Sequence, residues 1–194
     1  HLGRDNDEVY NMLNTKYYIV QGSDGMPVPE FNPDANGAAW FVDAVLPVNS
    51  PDEEIDALNR IDTKREAVVD VSKFGDVRVA ATRDDDSTAF IRLTDYRPDH
   101  LTYEYSTADD RIAVFSEIYY DKGWEAYIDG HKANYFRADY VLRAMELPAG
   151  THKVEFIFKA PNFAGVRAVT FIFSMLILLA VAGTGAWLII RNIK

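Results

Sequence analysis

The chain has 194 residues, with 30 acidic against 20 basic side chains, a formal net charge of −10 and no cysteine. That balance argues against nucleic acid or an anionic lipid surface as an electrostatic partner. The missing thiols exclude disulfides and cysteine-ligated metals.

The first stretch reads as mixed α and β. Residues 8–13 (EVYNML) suit a short helix, and residues 16–20 (KYYIV), aromatic and β-branched, suit a strand. Residues 21–37 are rich in Gly, Pro, Asn and Asp and read as a loop. Residues 39–45 (AWFVDAV) read as one buried strand. A helix start follows: Ser50 can cap, Pro51 sits where its missing N–H costs nothing, and Glu53 completes a capping box. That helix is expected to run to about Asn59, with Ile55 and Leu58 inward.

From residue 67 the pattern changes to short strands separated by turns. The strands expected are 67–71, 76–82, 89–96, 100–106, 112–120, 124–128, 131–138, 141–147 and 152–159. In the last, Val154, Phe156 and Phe158 alternate with Glu155 and Ile157, the mark of a half-buried strand. Asp129-Gly130 signals a type I′ hairpin, and Pro148-Ala149-Gly150 a second turn. The fold class expected is α+β, mainly β: a mixed α/β part over 1–66, a mostly antiparallel β-sandwich over 67–161, and a membrane segment over 162–194.

That last segment holds 23 consecutive uncharged residues, 168–190, bounded by Arg167 and by Arg191 with Lys194. At about 1.5 Å per residue this helix spans the roughly 30 Å hydrocarbon core of a bilayer. Asn162 can cap it, which leaves almost no linker. Ala180, Ala182, Gly183, Gly185 and Ala186 make a small-residue patch suited to contact with other transmembrane helices. All 30 acidic residues and 17 of the 20 basic ones precede Val166, a net −13, whereas the tail after Ile190 is purely basic. Cytoplasmic flanks collect Lys and Arg, so the tail is expected inside and the large segment outside. The chain opens at His1-Leu2-Gly3-Arg4 without a secretory signal, so an upstream membrane-crossing part is expected.

Sites are sparse. Asp84-Asp85-Asp86 is contiguous and lacks the alternating ligands of a calcium loop, so it reads as a solvated hairpin tip. Histidines 1, 100, 131 and 152 have no zinc-binding spacing, and no phosphate-binding or nucleophile motif occurs. Aromatic residues cluster between Tyr119 and Tyr140, with Asp129, Arg137, Asp139 and Arg143 interleaved. These residues suit a sugar-binding surface, and they equally suit packing between paired strands. On the alternating pattern Trp124, Ala126 and Ile128 face the core, and Glu125, Tyr127 and Asp129 face outward. Glu125, Tyr127 and Asp129 are therefore the candidate glycan contacts.

Ordered motifs carry a family resemblance. Asn11-Met12-Leu13-Asn14-Thr15-Lys16-Tyr17-Tyr18-Ile19, Asn32-Pro33 followed by Ala39-Trp40-Phe41-Val42, and Ser116-Glu117-Ile118-Tyr119-Tyr120 followed by Gly123-Trp124-Glu125-Ala126-Tyr127-Ile128-Asp129-Gly130 succeed one another. Arg137 to Ala144 and Leu147 to His152 continue the series. Together they resemble the bacterial membrane protein YfhO family over nearly the whole chain; Asp121-Lys122 departs at a turn where the family often has Pro before Gly123. The resemblance implies a protein of many N-terminal spans, an extracytoplasmic C-terminal domain and a last membrane helix in the bacterial cytoplasmic membrane. It also implies likeness to GT-C glycosyltransferases, which take a sugar from a polyprenyl-phosphate donor. The catalytic acid of that class lies in an early loop outside this chain. No catalytic, cofactor or metal residue is therefore assigned, and these residues alone are expected to transfer no sugar. The partners implied are the bilayer, the other transmembrane helices, and an envelope glycan or polyprenyl-phosphate sugar. The rival reading is a non-catalytic module that docks an envelope protein.

Overall fold

The computed structural model describes residues 6–75, 77, 88–160 and 163–192. The expected strand 76–82, the aspartates 84–86 and the cap at Asn162 lie outside the described residues, apart from position 77. Two compact units result, His1–Phe158 and Lys159–Lys194.

The first unit is mainly β. It opens with α1 (Asp7–Met12), β1 (Tyr17–Gln21), β2 (Pro27–Phe31), β3 (Ala39–Val42), β4 (Ala44–Val48), α2 (Pro51–Ala57), β5 (Glu66–Asp70) and α3 (Val71–Phe74). It continues with β6 (Phe90–Arg97), β7 (His100–Thr107), β8 (Arg111–Ile118), β9 (Trp124–Ile128), β10 (His131–Ala133), β11 (Phe136–Ala138), β12 (Leu142–Leu147) and β13 (Gly150–Phe158). Two antiparallel sheets form the body, one in the order β10-β9-β13-β7-β6 and one in the order β11-β12-β8-β3.

Burial explains the sequence patterns. Leu101, Tyr103, Tyr105, Val154 and Phe156 of the five-stranded sheet meet Ala113, Phe115, Met145 and Leu147 of the four-stranded sheet in one core. The other face of the four-stranded sheet carries Trp40, Val42, Ile112, Val114, Leu142 and Ala144. It packs on Val9 and Met12 of α1, Ala57 and Leu58 around the end of α2, and Val68 of β5. Buried on both faces, β8 therefore carries an apolar run over 112–115, while β13 and β7, with one face in water, alternate.

Four expectations need correction. The loop 21–37 contains β2, which pairs antiparallel with β1, Tyr17 opposite Phe31 and Ile19 opposite Pro29. Pro27 and Pro29 disguised it. The backbone bonds Gly22 N to Met26 O and Asn32 N to Lys16 O put the even-numbered residues of β2 in the bonding phase. The two prolines therefore fall where an N–H would point away from β1, the placement an edge strand tolerates. The strand 39–45 breaks at Asp43: β3 joins β8 and β4 leaves to pair with β5. That β4–β5 pair is parallel, a departure from the antiparallel rule, with α2 as the crossover between them. The strand 131–138 likewise divides into β10 and β11, which belong to different sheets. The helix α2 ends at Ala57, two residues early, and its buried face includes Glu54.

Local signals elsewhere hold. Ser50 Oγ accepts the N–H of Glu53 at 3.2 Å, and Glu53 Oε2 accepts that of Asn49 at 2.9 Å. Asp129 and Gly130 turn the β9–β10 hairpin with φ of 49° and 80°, the left-handed pair that a type I′ turn requires. The second unit is α4 (Phe163–Asn192), of which Gly165–Arg191 is long and apolar enough to cross a membrane.

Candidate functional site

The antiparallel register of β13 with β9 and β7 fixes which side chains share the outer face of the five-stranded sheet. Glu155 lies opposite both Tyr127 and Thr102, and Tyr127 lies opposite Lys132. On this face Tyr127 donates its hydroxyl to Glu125 Oε2 at 2.7 Å, and Lys132 Nζ lies 2.7 Å from Glu125 Oε1. Glu155 next along receives Lys153 Nζ at 2.9 Å and His100 Nε2 at 3.0 Å. The bond from Lys153, with the one from His100, holds the Glu155 carboxyl below its usual range. The result is a band of alternating donors and acceptors with one phenol ring in it.

Of the candidate contacts, the structure brings Glu125 and Tyr127 together, and it places Asp129 at the β9–β10 turn with partners of its own. Asp129 Oδ1 accepts the N–H of Lys153 at 2.9 Å, and its Oδ2 lies 2.6 Å from His152 Nδ1. The backbone bond from Lys153, then the one from His152, holds Asp129 below the carboxylate norm; the bond to Asp129 raises His152 in turn. This pair ties the β9–β10 turn to β13.

Trp124 faces inward with Ala126 and Ile128, as the alternation requires. Its ring lies 4.2 Å from the guanidinium carbon of Arg143, which also stands 5.1 Å from the centre of Phe156. Arg143 is only 3% exposed. Its Nε donates to the carbonyl of Ile118 at 3.1 Å, and its Nη1 has no partner. The guanidinium thus keeps its charge against aromatic faces, a cation–π arrangement that strengthens when water is absent. Glu117, in the bulge of β8 opposite Arg143, is pushed up by burial and drawn down by that same charge.

A second buried charge cluster was hidden from the sequence. Glu54 is fully buried; its Oε2 receives Arg137 Nη2 at 2.6 Å and its Oε1 the N–H of Tyr140 at 2.9 Å. The Arg137 guanidinium also faces Phe74 and Tyr140 at 5.6 and 5.5 Å. Asp139, also fully buried, exchanges two bonds with Val68: its Oδ1 accepts Val68 N at 2.8 Å and its N–H donates to Val68 O at 2.9 Å. Its Oδ2 has no partner, and burial raises its carboxyl to about 7. Asp139 and Tyr140 take φ of 50° and 69°, so the chain reverses through two left-handed residues to present this carboxyl. The cluster joins α2, β5 and β11, and its place in the interior suits assembly of the fold. Among the described residues no group of His, Asp and Glu is disposed to hold a metal ion.

Comparison with known proteins gives one finding. Residues 78–170 match the model of the family described as bacterial membrane protein YfhO. No curated protein and no solved structure matches the chain. The match runs across the strands β6 to β13 and into the apolar helix α4. It covers the Trp124–Gly130 hairpin and the Arg143 strand, and over these residues the chain is similar to the YfhO family of bacterial membrane proteins.

Proposed function

We propose that residues before the apolar helix form an extracytoplasmic domain that positions an acceptor glycan, or covers the catalytic face, for a glycosyltransferase-like YfhO protein. The sugar donor on this reading is a polyprenyl-phosphate sugar, and the chemistry is done by residues outside this chain. The observation that carries it is the Glu125–Tyr127–Lys132 group on the outer face of the five-stranded sheet. A hydroxyl-rich ligand needs an apolar ring face to stack on and charged groups that exchange hydrogen bonds with it. Tyr127 and its two charged neighbours supply both on a rigid, three-strand support.

Orientation rests on charge. The basic tail Arg191 to Lys194 suits the cytoplasmic side of the bacterial cytoplasmic membrane, and the acidic segment suits the opposite side. Alkaline phosphatase fused after Lys194 is expected to be inactive; an active fusion overturns the orientation.

The glycan reading is tested by presenting the detergent-solubilised chain to an array of envelope glycans. Tyr127→Ala and Glu125→Gln are each expected to reduce capture at least tenfold without changing the urea midpoint by more than a few tenths of a molar unit. If no glycan binds, or if both variants bind as the parent chain does, the reading fails.

A further inference from the structure

We propose that the end of the sandwich at which the chain leaves the domain faces lipid. The β1–β2 hairpin rooted there rests its apolar face in the boundary between headgroups and acyl chains.

The hairpin has no core behind one of its faces. Tyr17, Ile19 and Phe31 share that face by register and are 60%, 72% and 61% exposed. Tyr17 and Phe31 meet edge to face, ring centres 5.6 Å apart. The opposite face is the one tied to the domain, through Tyr18 against Tyr10 at 5.7 Å. Three large apolar side chains held side by side in water need an apolar partner.

The edge of the hairpin narrows what that partner is. Pro27 and Pro29 remove two of the three N–H groups, at 27, 29 and 31, that the outer edge of β2 would offer to an added strand. Strand addition at β2 is thereby weakened, whereas the face that carries Tyr17, Ile19 and Phe31 is intact as a contact surface. A fluid apolar phase fits such a face without a matching groove.

Position within the domain points to the bilayer. Phe158, the last residue of β13, is paired with Trp124, and Ile157 with His100. Ile118 and Tyr120 lie at this end, since Tyr135 donates to the carbonyls of both Tyr120 and Trp124. Tyr96, beside the β6–β7 turn, lies there too. All three are more than half exposed. The hairpin is anchored toward the same end: Asn32 Nδ2 donates to Asn11 Oδ1 at 3.0 Å, and Ser116 Oγ donates to the Met12 carbonyl at 3.0 Å. Only residues 159–162 separate Phe158 from the start of the apolar helix. The five steps from Phe158 to Phe163 reach at most about 18 Å, so covalent connection alone keeps this end close to the membrane. Tyrosine is the residue favoured at that depth, because its ring is apolar and its hydroxyl stays wet. The contact is apolar, so it requires no anionic lipid, in keeping with an acidic domain.

The absence of native cysteine makes the test direct. The chain is placed in phosphatidylcholine nanodiscs with a single nitroxide at Ile19→Cys, Phe31→Cys or, as the aqueous reference, Phe90→Cys. Phe90 pairs with Ser106 at the other end of the sheet. Collision rates with oxygen, which concentrates in lipid, and with a water-soluble nickel chelate are compared. The oxygen-to-nickel ratio at positions 19 and 31 is expected to exceed that at 90 at least fivefold, and to stay so when a third of the lipid is phosphatidylglycerol. A ratio at both positions equal to that at 90 overturns the proposal. So does protection from both reagents, which would mean that protein covers the hairpin instead. Far-UV circular dichroism of each labelled chain confirms the fold; neither side chain belongs to a buried core cluster.

Discussion

Asp139→Asn is expected to stabilise the protein at neutral and alkaline pH and to leave it nearly unchanged at pH 4. Asp139 is fully buried, and its carboxyl is raised from 3.8 to about 7, first by burial and then by the nearby Glu54 charge, against the bond from Val68. Between about pH 4 and pH 7 the native state therefore holds one proton that the unfolded chain has lost. Stability falls as pH rises through this window and levels off above the folded value. Three pKa units at about 1.4 kcal/mol each set a cost of about 4 kcal/mol for the ionised form by pH 8. Asparagine keeps what Asp139 does structurally: its Oδ1 can accept Val68 N, and it tolerates φ of 50° as well as aspartate does. Its Nδ2 takes the place of Oδ2, which has no partner in either case. A gain of about 2–4 kcal/mol at pH 8 and less than about 1 kcal/mol at pH 4 follows. Urea unfolding of the detergent-solubilised chain, followed by near-UV circular dichroism from pH 4 to 8, measures it. Glu54 and Glu117, also raised by burial, leave a shallower slope of the same sign in the variant. Destabilisation by Asp139→Asn at pH 8, or an unaltered slope between pH 4 and 7, would refute the reasoning.

Trp124→Ala should cost about 3 kcal/mol in urea unfolding, because it removes a large ring from the core and strips Arg143 of its nearest aromatic face, whereas Tyr127→Ala should cost less than about 1 kcal/mol. Ser50→Ala should lower stability by about 1 kcal/mol through loss of the α2 cap, and Ser50→Asp should restore it. The imidazole of His152, followed by NMR, should titrate above the ordinary histidine value, and Asp129→Asn should return it toward that value. The stabilising effect on His152 is full below its unfolded value and is lost as pH rises through the folded one. The matching effect on Asp129 is lost as pH falls below its own range.

Much of the local structure was written in the chain. The run 168–190 names a span by itself, because length and lack of charge are properties of consecutive residues. The Asp129-Gly130 turn, the Ser50 cap and the alternation of β13 are equally local, since backbone φ and the direction of successive Cβ atoms set them. The inward turn of Trp124 and outward turn of Tyr127 followed from the same period of two.

Tertiary structure alone decided the rest. Residues 39–45 and 131–138 each look like one strand, yet each divides between sheets, because the break depends on which partner strand is within reach. β2 was hidden because its prolines are harmless only at an edge, and an edge is defined by the neighbours a strand lacks. Glu54 sits on a helix among Asp52, Glu53 and Asp56 and looks solvated like them. It is buried because Arg137, 83 residues away, and the backbone of Tyr140 meet it. That Asp129 braces the β9–β10 turn was not legible, because only the register of β13 brings His152 and Lys153 to it. Period and capping are fixed by neighbours along the chain, but burial and charge partnership are fixed by contacts that exist only once distant segments have paired.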